Sequence, residues 1–458
     1  MDSTTSQADP VAELANSFAG QVLRPTDPGY EEARRVHNGL IDRRPALIAR
    51  CRGLADITDA VRLGRDQGLE IAIRGGGHNV AGRATTEGSL MIDLSLMKGI
   101  HVDPTARTAR AQGGVTWGEF NRETQLHGLA TTGGVVSSTG VAGLTLGGGL
   151  GWLMAKHGLA LDKLLSAEVV LADGRVVTAS ERDHPDLFWA LRGGGGNFGV
   201  VASLEYRLHP VGPIVTGGLV AWPFASAWDV LRHFRDITAS LPDELTLVAG
   251  LVHAPDGSGE KMAAIVLCHC GTPAAAEEAL RPIRQFGTPA LDAIGPMPYA
   301  QLNAMLDAKY PRGALNYWKS SFLSALTDDA IRAMIESFAA CPTPMGQLLM
   351  EHVHGAVARV EVGDTAFPHR AEGYNMLVLS EWTDPRQTEA CTAWAREAFA
   401  ALRPYTGAGR YVNYLDADER PDAVAAAYGP NFGRLQQIKA KYDPVNLFRL
   451  NQNILPTA

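Results

Sequence analysis

At 458 residues the chain is too long for one ordinary hydrophobic core and fits two or three domains. Apolar content of 46% and charged content of 20% are those of a globular protein. With 49 Asp and Glu against 41 Lys and Arg the net charge is −8, which argues against nucleic acid, whose phosphates need cations to displace their counterions.

The first residues, MDSTTSQADPVAELANSF, predict a short helix over VAELANSF. They lack the basic stretch and apolar stretch of a signal peptide. No run approaches the ~20 apolar residues that span a bilayer, so no membrane association and a cytoplasmic location are expected. From about Pro45 short apolar runs alternate with glycine turns: ALIARC as strand, ADITDAVRLGRDQG as amphipathic helix, LEIAIRGGG as strand into tight loop. Two strand-turn-strand units follow, one turning at Asp103-Pro104-Thr105 and one at Asp173-Gly174. A Pro/Gly cluster at 209–213 marks a domain boundary. Beyond it, strands (LTLVAGLVHAP, EKMAAIVLCHC, YNMLVLSEW) alternate with helices (AAAEEALRPIRQF, DDAIRAMIESFAA). That is the α+β pattern of an antiparallel sheet backed by helices. The five cysteines, Cys51, Cys268, Cys270, Cys341 and Cys391, have no regular spacing and read as free thiols. Cys268-His269-Cys270 has no second ligand pair, so no metal is expected.

Glycine is the outlier, with 49 residues and four dense clusters within 125 residues: Gly75–Gly77, Gly133-Gly134, Gly147–Gly151 and Gly193–Gly199. No GK[ST] follows any of them, which excludes a Walker loop. No first-strand GxGxxG precedes an acidic residue at the Rossmann spacing. What remains is an elongated ligand with a pyrophosphate, held by backbone N–H groups on several loops, and FAD has that shape. His78 closes the first cluster. It reads either as a turn histidine or as an imidazole nucleophile beside a cofactor ring.

The order of these motifs adds a resemblance. RGGGHNVAG, the DLS strand (Asp93-Leu94-Ser95), TTGG with STGVAGLTLGGGLGWL, RGGGGNFGVV, YVNY and the closing KYDPVNLFRLNQNI together resemble the berberine-bridge-enzyme-like FAD-linked oxidases of the vanillyl-alcohol-oxidase superfamily. Within it the chain also resembles bacterial flavin oxygenases of polyketide biosynthesis. The resemblance implies a PCMH-type FAD-binding domain over residues 1–212, a substrate domain over 213–405, and a segment over 406–458 that returns to the first domain. It implies FAD tethered covalently through His78. The FAD contacts it carries over are Arg74, Gly75, Gly76, Gly77, His78, Gly82, Asp93, Ser95, Gly113, Thr132, Gly133, Thr139, Gly140, Gly143, Gly147, Gly151, Val200, Tyr411 and Asn413. Many members add a cysteinyl link to the flavin; alignment on Gly140–Gly143 puts Val136 at that place, so no cysteinyl link is expected.

For chemistry the resemblance points to three residues. Tyr414, the last residue of YVNY, is the base in several members, though a tyrosine starts near pKa ~10 and needs cationic neighbours to ionise. Glu351 aligns approximately with a family acidic residue. In QLLMEHVHG, period-two alternation sets it on the opposite face from His352 and His354. Thr139 occupies the position near the flavin that influences the reaction with O2. Its bland alternative is a turn threonine bonded to backbone. The expected function is oxidation of a small-molecule alcohol, amine or similar C–H donor, with O2 as acceptor. The alternatives are a flavin-dependent monooxygenase of secondary metabolism and, less favoured by the retained YVNY, a non-enzymatic flavin-binding protein. AFPHR (Ala366–Arg370) is expected to pack the domain interface.

Overall fold

The computed structural model describes residues 11, 14, 17–419 and 421–457; the helix expected over 11–18 falls largely outside them. Four short strands come first: β1 (Gln21–Leu23), β2 (Leu47–Arg50), β3 (Ile71–Arg74) and β4 (Leu90–Asp93), in the order β1-β2-β4-β3. Both β2 and β3 run parallel to β4. Parallel strands are covered on both faces, and LIAR and LMID are accordingly apolar without alternation. The crossover between β2 and β3 is the helix Leu54–Asp66. It buries Ile57, Ala60 and Val61 completely, and each fully buried Ile or Val contributes roughly 1.5–3 kcal/mol.

The second sheet is antiparallel, ordered β5-β6-β10-β8-β9, from β5 (Ile100–Asp103), β6 (Thr108–Gln112), β8 (Leu164–Val170), β9 (Val176–Ser180) and β10 (Val200–Arg207). Both expected turns close hairpins here, β5–β6 and β8–β9. β7 (Leu129–Ala130) pairs with β11 (His209–Pro210) at the margin. One face of this sheet packs with the first sheet and its helix through Val170, Val200 and Ala202. The other carries a core of Trp117, Phe120, Leu187 and Phe188, joined by Leu415, Tyr428, Leu435 and Ile454 from the end of the chain.

The third sheet holds β12 (Ile214–Pro223), β13 (Leu245–His253), β14 (Lys261–His269), β15 (Leu291–Asp292), β16 (Gly295–Pro298), β17 (Leu315–Leu323), β18 (Gln347–Val353) and β19 (Gly373–Trp382). Its order is β15-β12-β14-β13-β18-β19-β17, with β16 also on β12. Helices Ala227–Thr238, Pro273–Arg284, Asp328–Ala339 and Thr388–Leu402 cover one face and share its core. The other face turns toward the glycine loops. The fold is thus the expected α+β one. AFPHR joins the halves: Arg370 forms a buried two-pronged pair with Asp162, and Phe367 stands edge-on to Tyr411. Among the described residues no helix is long and apolar enough to cross a membrane, and all five cysteines are free.

Candidate active site

A cavity of about 570 Å³ lies between the bare face of the third sheet and the glycine loops. On the loop side its wall includes Gly75, Gly76, Gly77, His78, Thr139, Gly140, Gly143 and Gly147; Asn413 and Tyr414 come from the returning segment. On the sheet side stand Leu349, Glu351, Trp318, Leu377 and Leu379. Val136 is also in the wall.

The loops fit an extended, anionic ligand. Gly76 and Gly140 pack backbone against backbone: a Cβ on Gly76 would stand 2.5 Å from the Gly140 nitrogen. Gly77 has φ +67°, which a residue with a Cβ adopts only at a cost. Gly143 differs, because a Cβ there would meet no protein atom within 4 Å; it borders the cavity, so its bareness leaves room for what fills that space. The N–H groups of Gly75, Gly76 and Gly77 donate to no protein acceptor among the described residues. Free donors in such a turn suit phosphate or the polar edge of a ring system.

His78 is half-buried, stacked on His37 with ring centroids 3.8 Å apart, and its Nε2 lies 3.3 Å from the Ser138 hydroxyl. Burial, and then the neighbouring His37, hold its pKa down at about 3, so the imidazole is neutral and keeps a nucleophilic lone pair. Thr139 is half-buried in the wall, and its hydroxyl makes no hydrogen bond to the described residues, unlike a turn threonine spent on backbone.

Glu351 projects from β18 on the cavity side, while His352 and His354 stack together on the other face, as alternation requires. Its carboxylate accepts from Asn375 Nδ2 at 2.6 Å and from the Tyr414 hydroxyl at 3.3 Å. Burial lifts its pKa to about 7, and those two donors hold it from rising further. Tyr414 meets the opposite of what a tyrosine base requires. Burial raises its pKa well above 10, and its charged or polar neighbours are Glu351, Tyr411 and Tyr310, with no cation among them. The expected order of the pair therefore reverses: the carboxyl is poised to exchange a proton and the phenol donates to it.

Several expected cofactor contacts stand off the cavity wall, each for a visible reason. Asp93 is saturated: Arg74 grips it through two nitrogens at 2.9 and 2.6 Å, Arg50 adds a third, and Ser95 donates through its hydroxyl and its N–H. Arg74, Asp93 and Ser95 thus brace the first glycine loop from below. Gly82 packs on Ile41, Gly113 on Val201 and Leu94, Gly133 on the Trp117 ring, and Gly151 on the Gly133 carbonyl. Thr132 gives its hydroxyl to the Gly158 carbonyl. Val200 is wholly buried between the first two sheets. Tyr411 is a scaffold residue whose hydroxyl accepts from Gly149 N–H and Asn413. Conversely, Trp318, Tyr310 and Arg83 enter the wall without any motif announcing them, whereas Asn79 belongs to RGGGHNVAG, Gln347 to QLLMEHVHG, and Asn451 and Gln452 to the closing RLNQNI.

The FAD binding domain family matches residues 45–180, and the family described as berberine and berberine like matches 410–455. The (R)-6-hydroxynicotine oxidase of Paenarthrobacter nicotinovorans is 33% identical, over 96% of this chain and 97% of its own. The chain belongs to the berberine-like FAD-linked oxidoreductases. A Dictyostelium discoideum FAD-linked oxidoreductase is 30% identical over 97% of both chains. Among solved structures, the 6-hydroxy-D-nicotine oxidase of Arthrobacter nicotinovorans superposes with a TM-score of 0.89 at 31% identity, covering 96% of this chain and 99% of its own. The glucooligosaccharide oxidase of Acremonium strictum, with 6-S-cysteinyl, 8α-N1-histidyl FAD, does so at 0.87 and 26% identity, covering 98% and 100%. As a berberine-like FAD-linked oxidoreductase, this chain binds FAD.

Proposed function

We propose that this chain is an oxidase of a small-molecule alcohol or amine, with FAD tethered through His78, Glu351 as proton acceptor and O2 as final electron acceptor. The single observation that carries the reading is Glu351: a buried carboxyl with pKa about 7, held by Asn375 and Tyr414 in the wall that faces His78 and Thr139 across the cavity. Bound FAD supplies a two-electron acceptor that O2 can reoxidise. When the C–H bond gives up its electron pair, the O–H or N–H proton of the same substrate has to leave. Glu351 takes it at Oε1 or Oε2, and a pKa near neutrality suits that task. Tyr414 and Asn375 fix the carboxylate, while Leu377, Leu379 and Trp318 keep water away from it.

The neutral His78 imidazole supports a histidyl tether, and Val136 supports a single one, since valine cannot form the cysteinyl bond seen in the Acremonium strictum oxidase. Free Thr139 favours O2 reacting on this side of the cavity. Anaerobic stopped-flow reduction of Glu351→Gln tests the central claim. Reduction slowed about 10²–10⁴-fold is expected, with the flavin spectrum intact; wild-type reduction rates would remove Glu351 from the mechanism. Acid precipitation tests the tether: the pellet should stay yellow, and the peptide containing His78 should carry the mass of FAD. Colour lost wholly to the supernatant would count against it.

A further inference from the structure

Beyond Glu351 the cavity wall carries two hydrogen-bond donors that no protein group uses. Gln347, Leu349 and Glu351 alternate along β18 and share the face that lines the cavity. Four residues at ~3.3 Å each put Gln347 about 13 Å along the strand from Glu351. Leu349, Leu377, Leu379 and Val252 border the same space, so the wall along this row is apolar. The Tyr310 hydroxyl donates to the Gln347 side-chain oxygen at 3.3 Å. The Gln347 side-chain nitrogen donates to nothing among the described residues and is not sealed by protein atoms.

The second donor is Lys309, half-buried in the same wall. It precedes Tyr310 in the chain and ends the short turn Asp307–Lys309, which is pinned in place because the Asp307 carboxylate accepts from the Ser137 N–H and hydroxyl. Two neighbours locate its charge. Burial raises the Glu381 pKa to about 8 and lowers that of His253, and Lys309 pulls both down. Glu381 lies two residues beyond Leu379, the register partner of Gln347, and His253 bonds the Gly346 carbonyl beside Gln347. The ammonium therefore stands at the Gln347 end of β18. It forms no hydrogen bond or ion pair among the described residues, and it too is unsealed. Nothing nearby neutralises it: Glu381 is protonated at neutral pH, Asp307 is spent on Ser137, and Asp256 accepts from the Ser258 N–H instead.

We propose that Lys309 and Gln347 determine specificity by taking a carboxylate at one end of an elongated substrate, whose apolar body lies along Leu349, Leu377 and Leu379. That the other end is the reacting alcohol or amine rests on the proposed role of Glu351. One ammonium and one amide N–H match the two oxygens of a carboxylate, whereas a phosphate would leave an oxygen unserved. The flexible lysine stem lets the charge follow its partner. A carboxylate at the opposite end would meet Glu351, a group of the same sign once it has lost its proton.

The test is calorimetric titration of the flavin-loaded protein at pH 7 with 6-phenylhexanoate and with its neutral isostere 6-phenylhexanamide, neither of them an alcohol or amine. Wild type should bind the carboxylate about tenfold or more tighter, the scale of a charge-assisted hydrogen bond. Lys309→Met should erase the preference with Tm and flavin spectrum unchanged, Lys309→Arg should retain it, and Gln347→Leu should reduce it. Equal binding of the two probes by wild type, or a preference that survives Lys309→Met, overturns the proposal. So does a preference lost in Lys309→Arg, which would tie it to the shape of the stem and not to charge, or one undiminished in Gln347→Leu. A lowered Tm in Lys309→Met would mean that the lysine serves the fold, and would also overturn it. Glu351→Gln should keep the preference, and its flavin reduction rate is read separately. Wild-type reduction with the preference intact would refute Glu351 as the base and uphold the carboxylate site. Slowed reduction in Glu351→Gln, with no preference in wild type, would do the reverse.

Discussion

Tyr414 and Glu351 share one proton-exchanging contact, and the phenol sets the carboxyl's affinity for its proton. The Tyr414 hydroxyl donates to Glu351 and lowers a pKa that burial has raised to about 7. A base works when deprotonated, so reduction of the flavin by substrate should quicken as pH rises through about 7 and level off above it. Tyr414→Phe removes one stabilising donor, so the same limb should move to higher pH, with the plateau rate less affected than the midpoint. Anaerobic reduction rates across pH 5.5 to ~9 in both proteins measure this; an unmoved midpoint would separate the phenol from the carboxyl. In the proposed reading Thr139 serves the other half of the cycle. Thr139→Val keeps the shape and removes the unpaired hydroxyl, so reoxidation by O2 should slow while anaerobic reduction stays near wild type. Equal slowing of both would point to disturbed packing instead.

Between elements, a tight backbone-to-backbone fit lies where the Gly75–Gly77 loop meets the start of the helix Val141–Leu146. Gly76→Ala would press a methyl group against the backbone of Gly140, which has no side chain to swing aside. Overpacking of this kind costs about 1–3 kcal/mol, so a lowered Tm and weaker FAD retention on gel filtration are expected; Gly143→Ala, facing open cavity, should keep the Tm of the cofactor-free protein and still weaken FAD retention. Much at this scale was legible in the sequence. Alternation in QLLMEHV puts Glu351 opposite His352, Asp173-Gly174 closes its hairpin, and the glycine clusters converge on one cavity. Pairing across strands was not legible. Asn375 reaches Glu351 because β18 and β19 are in one register, which the local sequence of neither strand states. Asp93 is expected from its motif to meet the cofactor, but donors from Arg74, Arg50 and Ser95 fill its oxygens, a pairing that the motif does not state. The tyrosine of YVNY looked like a base because only the folded protein shows a carboxylate, and no cation, beside it.

For the whole molecule, buried titratable groups oppose each other across pH. His37, His209 and His369 are held down to about 4, and His157 and His352 to about 3, mainly by burial. Their unfolded value is about 6.5, so from there down the unfolded chain binds more protons and stability falls as pH falls. Glu351 and Glu381 are raised to about 7 and about 8 from an unfolded value of about 4.3. They stay protonated in the fold where the unfolded chain has lost the proton, so their contribution declines as pH rises from about 4.3 to about 8. The two trends cross, and thermal stability should peak near pH ~6.5. Melting curves from pH 4 to ~9 would show it, and Glu381→Met should flatten the alkaline slope.

The last stretch of chain adds a constraint of timing. Asn413 closes over Gly147 and donates to the Leu144 carbonyl, Tyr428 donates to the Gln452 carbonyl, and Lys439, wholly buried, donates to the carbonyls of Asn197 and Phe448. Glycine loops made earlier in synthesis thus wait for their clamps until residues 413 to 452 have left the ribosome. A nascent chain stalled before Tyr411 would present the loops unclamped and the Asn413–Tyr414 wall missing. Firm cofactor capture therefore has to follow synthesis of the segment beyond Tyr411.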